Sequence, residues 1–335
     1  MPVTCHLSRP IEGKMQRVII KPKRKTPLSG IKIGTLILAF IPLVVLFAII
    51  VNLILNSRLA ISTAGWGLFS TAFNPEKGQY GLLPAMWGTF LVVLVAMIIA
   101  APVSLFLAVL ANDFSIGFLS TIIRWVIGVL SGIPPIIFAA MAPVFFDLFI
   151  WPKFAGKGLT EAVLLKMTQY NDLPLNGSTL LGGILLALLL IPFLSPLLDD
   201  AIKNVPHSLK EASLSLGADR WHTLMHVTLP SAISGISSAL MLGVLTAMGE
   251  AMIVAFAIGF EIDRIPQPLF DILKATAPLT TVIVGFSAGG FSLNLSGPLL
   301  TSIGNFGGLI LLLLAVAVLG ISTYLQNRFK KRSVS

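Results

Sequence analysis

The sequence predicts an all-α membrane protein with six transmembrane helices, and three observations carry that expectation. Only 11% of the residues are charged and 56% are hydrophobic, at a mean hydropathy of +0.93. A soluble domain carries about 25% charged residues, so this chain cannot cover a water-facing surface, and lipid must be its main solvent. Six apolar runs, 33–55, 86–110, 125–146, 180–198, 229–260 and 307–325, approach or exceed the length of about 20 residues that a helix needs to span a bilayer. Both ends are basic: Arg9, Lys14, Arg17, Lys21, Lys23, Arg24 and Lys25 precede the first run, and Arg328, Lys330, Lys331 and Arg332 follow the last. Basic flanks stay in the cytoplasm, and two cytoplasmic ends require an even number of spans. The runs are too long and continuous for outer-membrane strands. Helices also satisfy their own backbone hydrogen bonds, which lipid cannot do.

The chain divides into a basic tail over 1–30, a first span with its outer loop over 31–80, a core over 81–327 holding a long inner loop at 203–230, and a second basic tail over 328–335. The outer loop 56–79 carries Arg58, Glu76 and Lys77 among turn formers, and 111–116 reads as a short inner turn. A mixed outer loop covers 151–177, and a polar inner insert covers 199–228. The stretch 275–327 has no charge. A span over 279–290 would put the closing RFKKR outside, so 261–306 reads as an outer loop with a re-entrant or interfacial piece. Pro102 falls within span two, and Gly132, Pro134 and Pro135 fall within span three, where proline kinks a helix.

Several chemistries are excluded. The net charge of +9 sits in the tails beside the spans, so nucleic acid is not an expected partner. No G-x-x-x-x-G-K-[ST] pattern occurs, so the chain has no such nucleotide site and reads as a non-enzyme with no cofactor of its own. His222 and His226 share a helical face but lack a third ligand, so they read as solvated polar residues and no metal site is expected. Cys5, the sole cysteine, excludes an internal disulfide framework. The first thirty residues lack the short apolar core and cleavage site of a signal peptide.

The inner insert is the least expected segment. Ser208 and Glu211 have capping-box spacing, which predicts a helix start. Gly217 is placed to end that helix in the left-handed conformation. A helix over 209–216 would be about 12 Å long, and isolated helices that short are marginal in water, so something must hold it. A second helix is expected over 218–227, with Pro230 opening the fifth span. The whole pattern is Glu-Ala-small, three residues, Gly, nine residues, an aliphatic, one residue, Leu-Pro: Glu211, Ala212, Ser213, Gly217, Val227, Leu229 and Pro230.

That pattern resembles the EAA loop of ABC importer permeases, in which the loop forms a coupling helix docked on a separate ATPase subunit. Ser213 stands where the family usually has Ala. SGIPPIIFAA at 131–140 and TAMGEAMIVAFAIG at 246–259 resemble the G-I-P and R-A-x-G-E-T-M segments of Pst-type phosphate importer permeases. The Met after Gly-Glu-Ala favours the C-type subunit over the A-type. The resemblance covers about 88–332. It implies a type I importer permease with a MetI-like architecture in the bacterial inner membrane. It also implies a second permease subunit, two ATP-binding subunits that carry ATP and Mg, and an extracytoplasmic phosphate-binding protein.

Glu250 is the only acid deep in an apolar run, and an intramembrane carboxylate faces a bundle interior and has a partner. The resemblance implies a translocation path over Thr246, Gly249 and Glu250. The family places an arginine four residues before this glutamate, and here that position is Thr246. Three accounts stay open: the partner permease supplies the cation, the specificity has drifted, or this subunit helps form the path without holding the anion. Rival readings are an importer for molybdate or sulfate, an ion-coupled carrier using Glu250, and a non-transporting scaffold.

Overall fold

The computed structural model describes residues 30–74, 77–114, 117–140, 178–259, 269–272, 274–288 and 297–332. The tail 1–29, the end of the expected third span at 141–146, the outer loop 151–177, and 261–268, 273 and 289–296 of the expected outer segment lie outside these residues. Two units are distinguished, one up to Ile49 and one from Ile50 onward. Within the first, the described residues belong to helix α1 (Gly30–Asn56), which runs through Pro42. Its apolar side chains stand exposed along its length, Phe40 at 60% and Phe47 at 68%, as for a helix whose solvent is lipid.

The second unit is a helical bundle. The region expected as a loop at 56–79 is helical for its first half. Helix α2 (Arg58–Ala64) follows α1 after one residue, and a 3-10 turn (Gly65–Phe69) follows α2. The break is held from across the bundle: the Ser302 hydroxyl donates to the Asn56 carbonyl and accepts from the Ala60 N–H at 2.9 Å. A two-residue antiparallel pair, β1 (Phe73–Asn74) with β2 (Gln79–Tyr80), adds a small hairpin that the all-α expectation lacks.

Helix α3 (Leu83–Val109) continues through Pro102 and ends in a π turn (Leu110–Phe114), where the sequence suggested a simple turn. Among the described residues the expected third span is two pieces, α4 (Gly117–Ser131) and α5 (Pro135–Ala140). Pro134 and Pro135 both lack a backbone donor, so the helix is interrupted at Gly132–Pro134 instead of merely kinked. Helix α6 (Thr179–Lys203) is capped by Ser178, whose hydroxyl accepts from the Leu181 N–H at 3.1 Å. Then come α7 (His207–Ser215), α8 (Arg220–Thr223), a second π turn (Leu224–Thr228), α9 (Leu229–Gly249) and α10 (Met252–Ile258). Helices α11 (Leu279–Ala288) and α12 (Pro298–Arg332) close the bundle. The piece expected to be re-entrant or interfacial is α11, buried at Leu279 and Val282 and packed on α12 and α3. The last span begins at Pro298, nine residues before the expected start at 307. Among the described residues, five helical stretches are long and apolar enough to cross a membrane.

Helix α6 is the centre. Leu185, Leu186, Leu190, Leu194 and Leu198 are fully buried against Ala96 and Ala100 of α3 and Ala232 and Ile236 of α9. Lipid tails are as apolar as leucine, so close van der Waals packing, not water exclusion, joins these helices, and small residues permit it. A Cβ on Gly183 would lie 2.4 Å from Val95 Cγ1, and one on Gly243 would lie 2.7 Å from Leu194 Cδ2. A second cluster joins Leu82, Ala85, Leu279, Val282, Ile303 and Phe306.

Candidate functional site

The polar insert folds as a helix–glycine–helix elbow. Helix α7 starts at His207, with Pro206 at the N-cap position and no side-chain cap. Ser208 therefore sits inside the first turn, and the expected capping box with Glu211 does not form. Proline pre-sets the extended entry that a capping serine would otherwise supply. The expected end is found. Gly217 has φ +88°, its N–H donates to the Leu214 carbonyl at 3.0 Å, and the Ala218 N–H donates to the Ser213 carbonyl at 3.2 Å. These two bonds make a Schellman motif, which needs a left-handed residue and so favours glycine. Asp219 then caps α8, its carboxylate accepting from the His222 N–H at 2.7 Å.

The elbow has two further fastenings. The Ser213 and Thr223 hydroxyls share a hydrogen bond at 2.9 Å across the glycine turn. The serine that departs from the usual alanine thus joins α7 to α8. Pro230 stands in the first turn of α9, where it was expected to open the fifth span, but α8, the π turn and α9 run on as one helical stretch, Arg220–Gly249. The Leu229 N–H bonds the Leu224 carbonyl, five residues back, and this wider turn makes room for the Pro230 ring. His222 and His226 stack at 4.1 Å, and no group of three or more metal-ligating side chains occurs among the described residues.

No residue of α7 is buried. Glu211 and Ala212 face solvent, and Leu209, Leu214, Leu216 and Trp221 expose 44%, 47%, 89% and 56% of their surface. These apolar side chains are left uncovered on an ordered elbow whose end is fixed by the glycine turn.

The second group of expected residues lies at the far end of the same stretch. Helix α9 stops at Gly249, and Glu250 is extended at φ −73°, ψ 116°. The fifth span is therefore broken at the Gly-Glu step, where the sequence suggested a continuous helix. Thr246 and Glu250 are not successive turns of one face, and the Thr246 hydroxyl instead donates to the Leu242 carbonyl at 3.0 Å. Non-helical backbone in such a span needs protein or water to satisfy it. Here Thr280 of α11 donates its hydroxyl to the Glu250 carbonyl at 3.1 Å. Beyond the break, α10 packs on α5, so the two interrupted spans meet. Glu250 is half-buried, and no ion pair to it is found among the described residues.

Sequence reading missed a charged cluster at the elbow end. Arg124 of α4 reaches Asp199 of α6 with Nε to Oδ2 at 3.1 Å and Nη2 to Oδ1 at 3.1 Å. Arg124 Nη2 also donates to the Ala111 carbonyl at 3.2 Å and to Asn112 Oδ1 at 3.3 Å. Asn112 and Lys203 donate to the same Asp199 carboxylate. One residue beyond Asn112, Asp113 accepts from Lys210 of α7 at 2.9 Å. The one legible signal was Asp199 four residues before Lys203 at the end of an apolar run.

The model of the family described as "Binding-protein-dependent transport system inner membrane component" matches residues 104–331, more than two thirds of the chain. This chain belongs to that family. Its match takes in the elbow, the Gly-Glu break and the charged cluster. This chain is similar to a phosphate transport system permease protein PstC from Xylella fastidiosa, 34% identical over 70% of this chain and 73% of its own length. A PstC from Mesorhizobium japonicum is 29% identical over 88% of each chain. A probable ABC transporter permease protein, YqgH of Bacillus subtilis, is 29% identical over 78% of each. A chain of the bacterial alginate ABC transporter, solved in complex with an alginate pentasaccharide-bound periplasmic protein, is 17% identical and shares the fold at a TM-score of 0.61. That likeness covers 91% of this chain and 98% of the other. The fold is thus that of a type I ABC permease, as the resemblance implied.

Proposed function

We propose that this chain is the permease subunit through which an ATP-driven importer carries inorganic phosphate across the inner membrane. The observation that carries the reading is the elbow: an ordered, glycine-ended helix with no buried residue, presenting Glu211, Ala212 and Leu214 outward. A short exposed helix of this kind gains its stability from a partner. The partner is a separate ATPase subunit, which holds ATP and Mg; the chain itself has no P-loop pattern. The elbow lies on the cytoplasmic side, as do both basic tails, and the outer loops receive a phosphate-binding protein. A second permease subunit completes the path. Phosphate as the substrate is supported by the names of the PstC relatives.

Glu250, Gly249 and Thr246 line the path in this reading, and the Gly132–Pro135 interruption supports them through α5 on α10. A break in a span exposes backbone groups and a carboxylate where a polar solute must pass.

The test is reconstitution. The chain, a second permease and the ATPase subunits are placed in liposomes with binding protein outside and ATP inside, and labelled phosphate uptake is measured. Phosphate enters only with ATP and only with this chain present, and sulfate and molybdate in excess do not compete. A Glu211→Ala variant still assembles and hydrolyses ATP but takes up less phosphate per ATP. Uptake that needs no ATPase, or uptake that sulfate or molybdate abolishes, overturns the reading.

A further inference from the structure

We propose that Asp113 and Asp199 form a strut that carries movement of helix α7 into α3, α4 and α6, with Lys210, Arg124 and Asn112 as its positioning partners. The inference rests on the reading of α7 as the docked element. No apolar side chain of helix α7 is buried, so interdigitated apolar packing does not fasten it to the bundle. Its described side-chain fastenings are two: the Ser213–Thr223 hydroxyl bond, which stays within the elbow, and the Lys210–Asp113 ion pair, which leaves it. Both side chains of that pair are more than four-fifths buried, at 18% and 16% exposure.

Asp113 sits in the π turn that ends α3, and its neighbour Asn112 binds the Asp199 carboxylate on α6. Arg124 of α4 holds the same carboxylate with two donors and the turn itself through the Ala111 carbonyl. The π turn is thereby gripped by α7 on one side and by α4 and α6 on the other. An arginine fork on a carboxylate fixes direction as well as distance, which a sliding apolar contact does not. Displacing α7 thus moves the ends of three helices together.

The experiment uses the full reconstituted complex and reads phosphate taken up per ATP hydrolysed. Lys210→Met and Asp113→Asn assemble and hydrolyse ATP, but the ratio falls at least about fivefold, the low end of measured coupling between sites. Exchanging the pair, Asp113→Lys with Lys210→Asp, recovers half or more of the lost ratio. An unchanged ratio in both single variants overturns the strut, as does an exchange that assembles without recovering the ratio. If the single variants do not assemble, the exchange decides alone: assembly with a normal ratio supports the strut, and continued failure overturns it. A Glu211→Ala variant separates the two readings. If Glu211→Ala uncouples while Lys210→Met does not, the strut falls and the docking stands. If Lys210→Met uncouples while Glu211→Ala does not, the strut stands and α7 docks elsewhere than through Glu211.

Discussion

Replacing Gly217 isolates the mechanical role of the elbow from any contact it makes. At φ +88° the residue lies in the left-handed region, and a Cβ built there meets no atom within 4 Å. No neighbour is pushed, so the whole cost of a side chain is local backbone strain, about 1–2 kcal/mol for an ordinary L-residue. Asparagine adopts this region most readily among non-glycine residues, and a β-branched residue least, so the expected order of damage is Asn, then Ala, then Val. Strain of that size disfavours the docked elbow about 5- to 30-fold. The assay titrates the ATPase subunit onto the permease in detergent: Gly217→Ala and Gly217→Val weaken association by that factor, and Gly217→Asn by less. Wild-type affinity in Gly217→Val, or equal loss in Asn and Val, refutes the claim that the left-handed turn sets the docking geometry.

Gly183→Val drives a side chain onto Val95 where α3 meets α6, and such overpacking costs about 1–3 kcal/mol, read as a lower unfolding midpoint in detergent. Gly320→Ala, which meets nothing within 4 Å inside α12, raises the midpoint, since alanine gains about 0.5–1 kcal/mol over glycine in a helix. Ser302→Ala strands the buried Ala60 N–H at the α1–α2 break, a loss of about 1–3 kcal/mol by the same measurement. Glu250→Gln keeps assembly and ATP hydrolysis but lowers phosphate uptake at least about tenfold, equivalent to about 1.4 kcal/mol; unchanged uptake removes Glu250 from the path. A double-mutant cycle on Ser213→Ala and Thr223→Val gives a coupling energy near that of one hydrogen bond, about 0.5–1.5 kcal/mol, in elbow stability.

The sequence by itself determined the solvent, the long spans and the elbow. Each is written in local pattern: apolar runs long enough for a bilayer, and a Glu-Ala-Ser…Gly…Leu-Pro spacing whose glycine accepts a left-handed turn regardless of what surrounds it. The tertiary structure decided where the spans break and which charges meet. Glu250 leaves the helix where Thr280, thirty residues away in sequence, donates to its carbonyl. The α1–α2 break is bridged by Ser302, more than two hundred residues on. Asp113, Arg124, Asp199 and Lys210 read as scattered charges until α3, α4, α6 and α7 bring them to one end of the bundle. The sequence carries helix propensity and hydropathy within a window of a few turns. The partners that satisfy a freed carbonyl or a buried carboxylate come from other helices, and only packing chooses them.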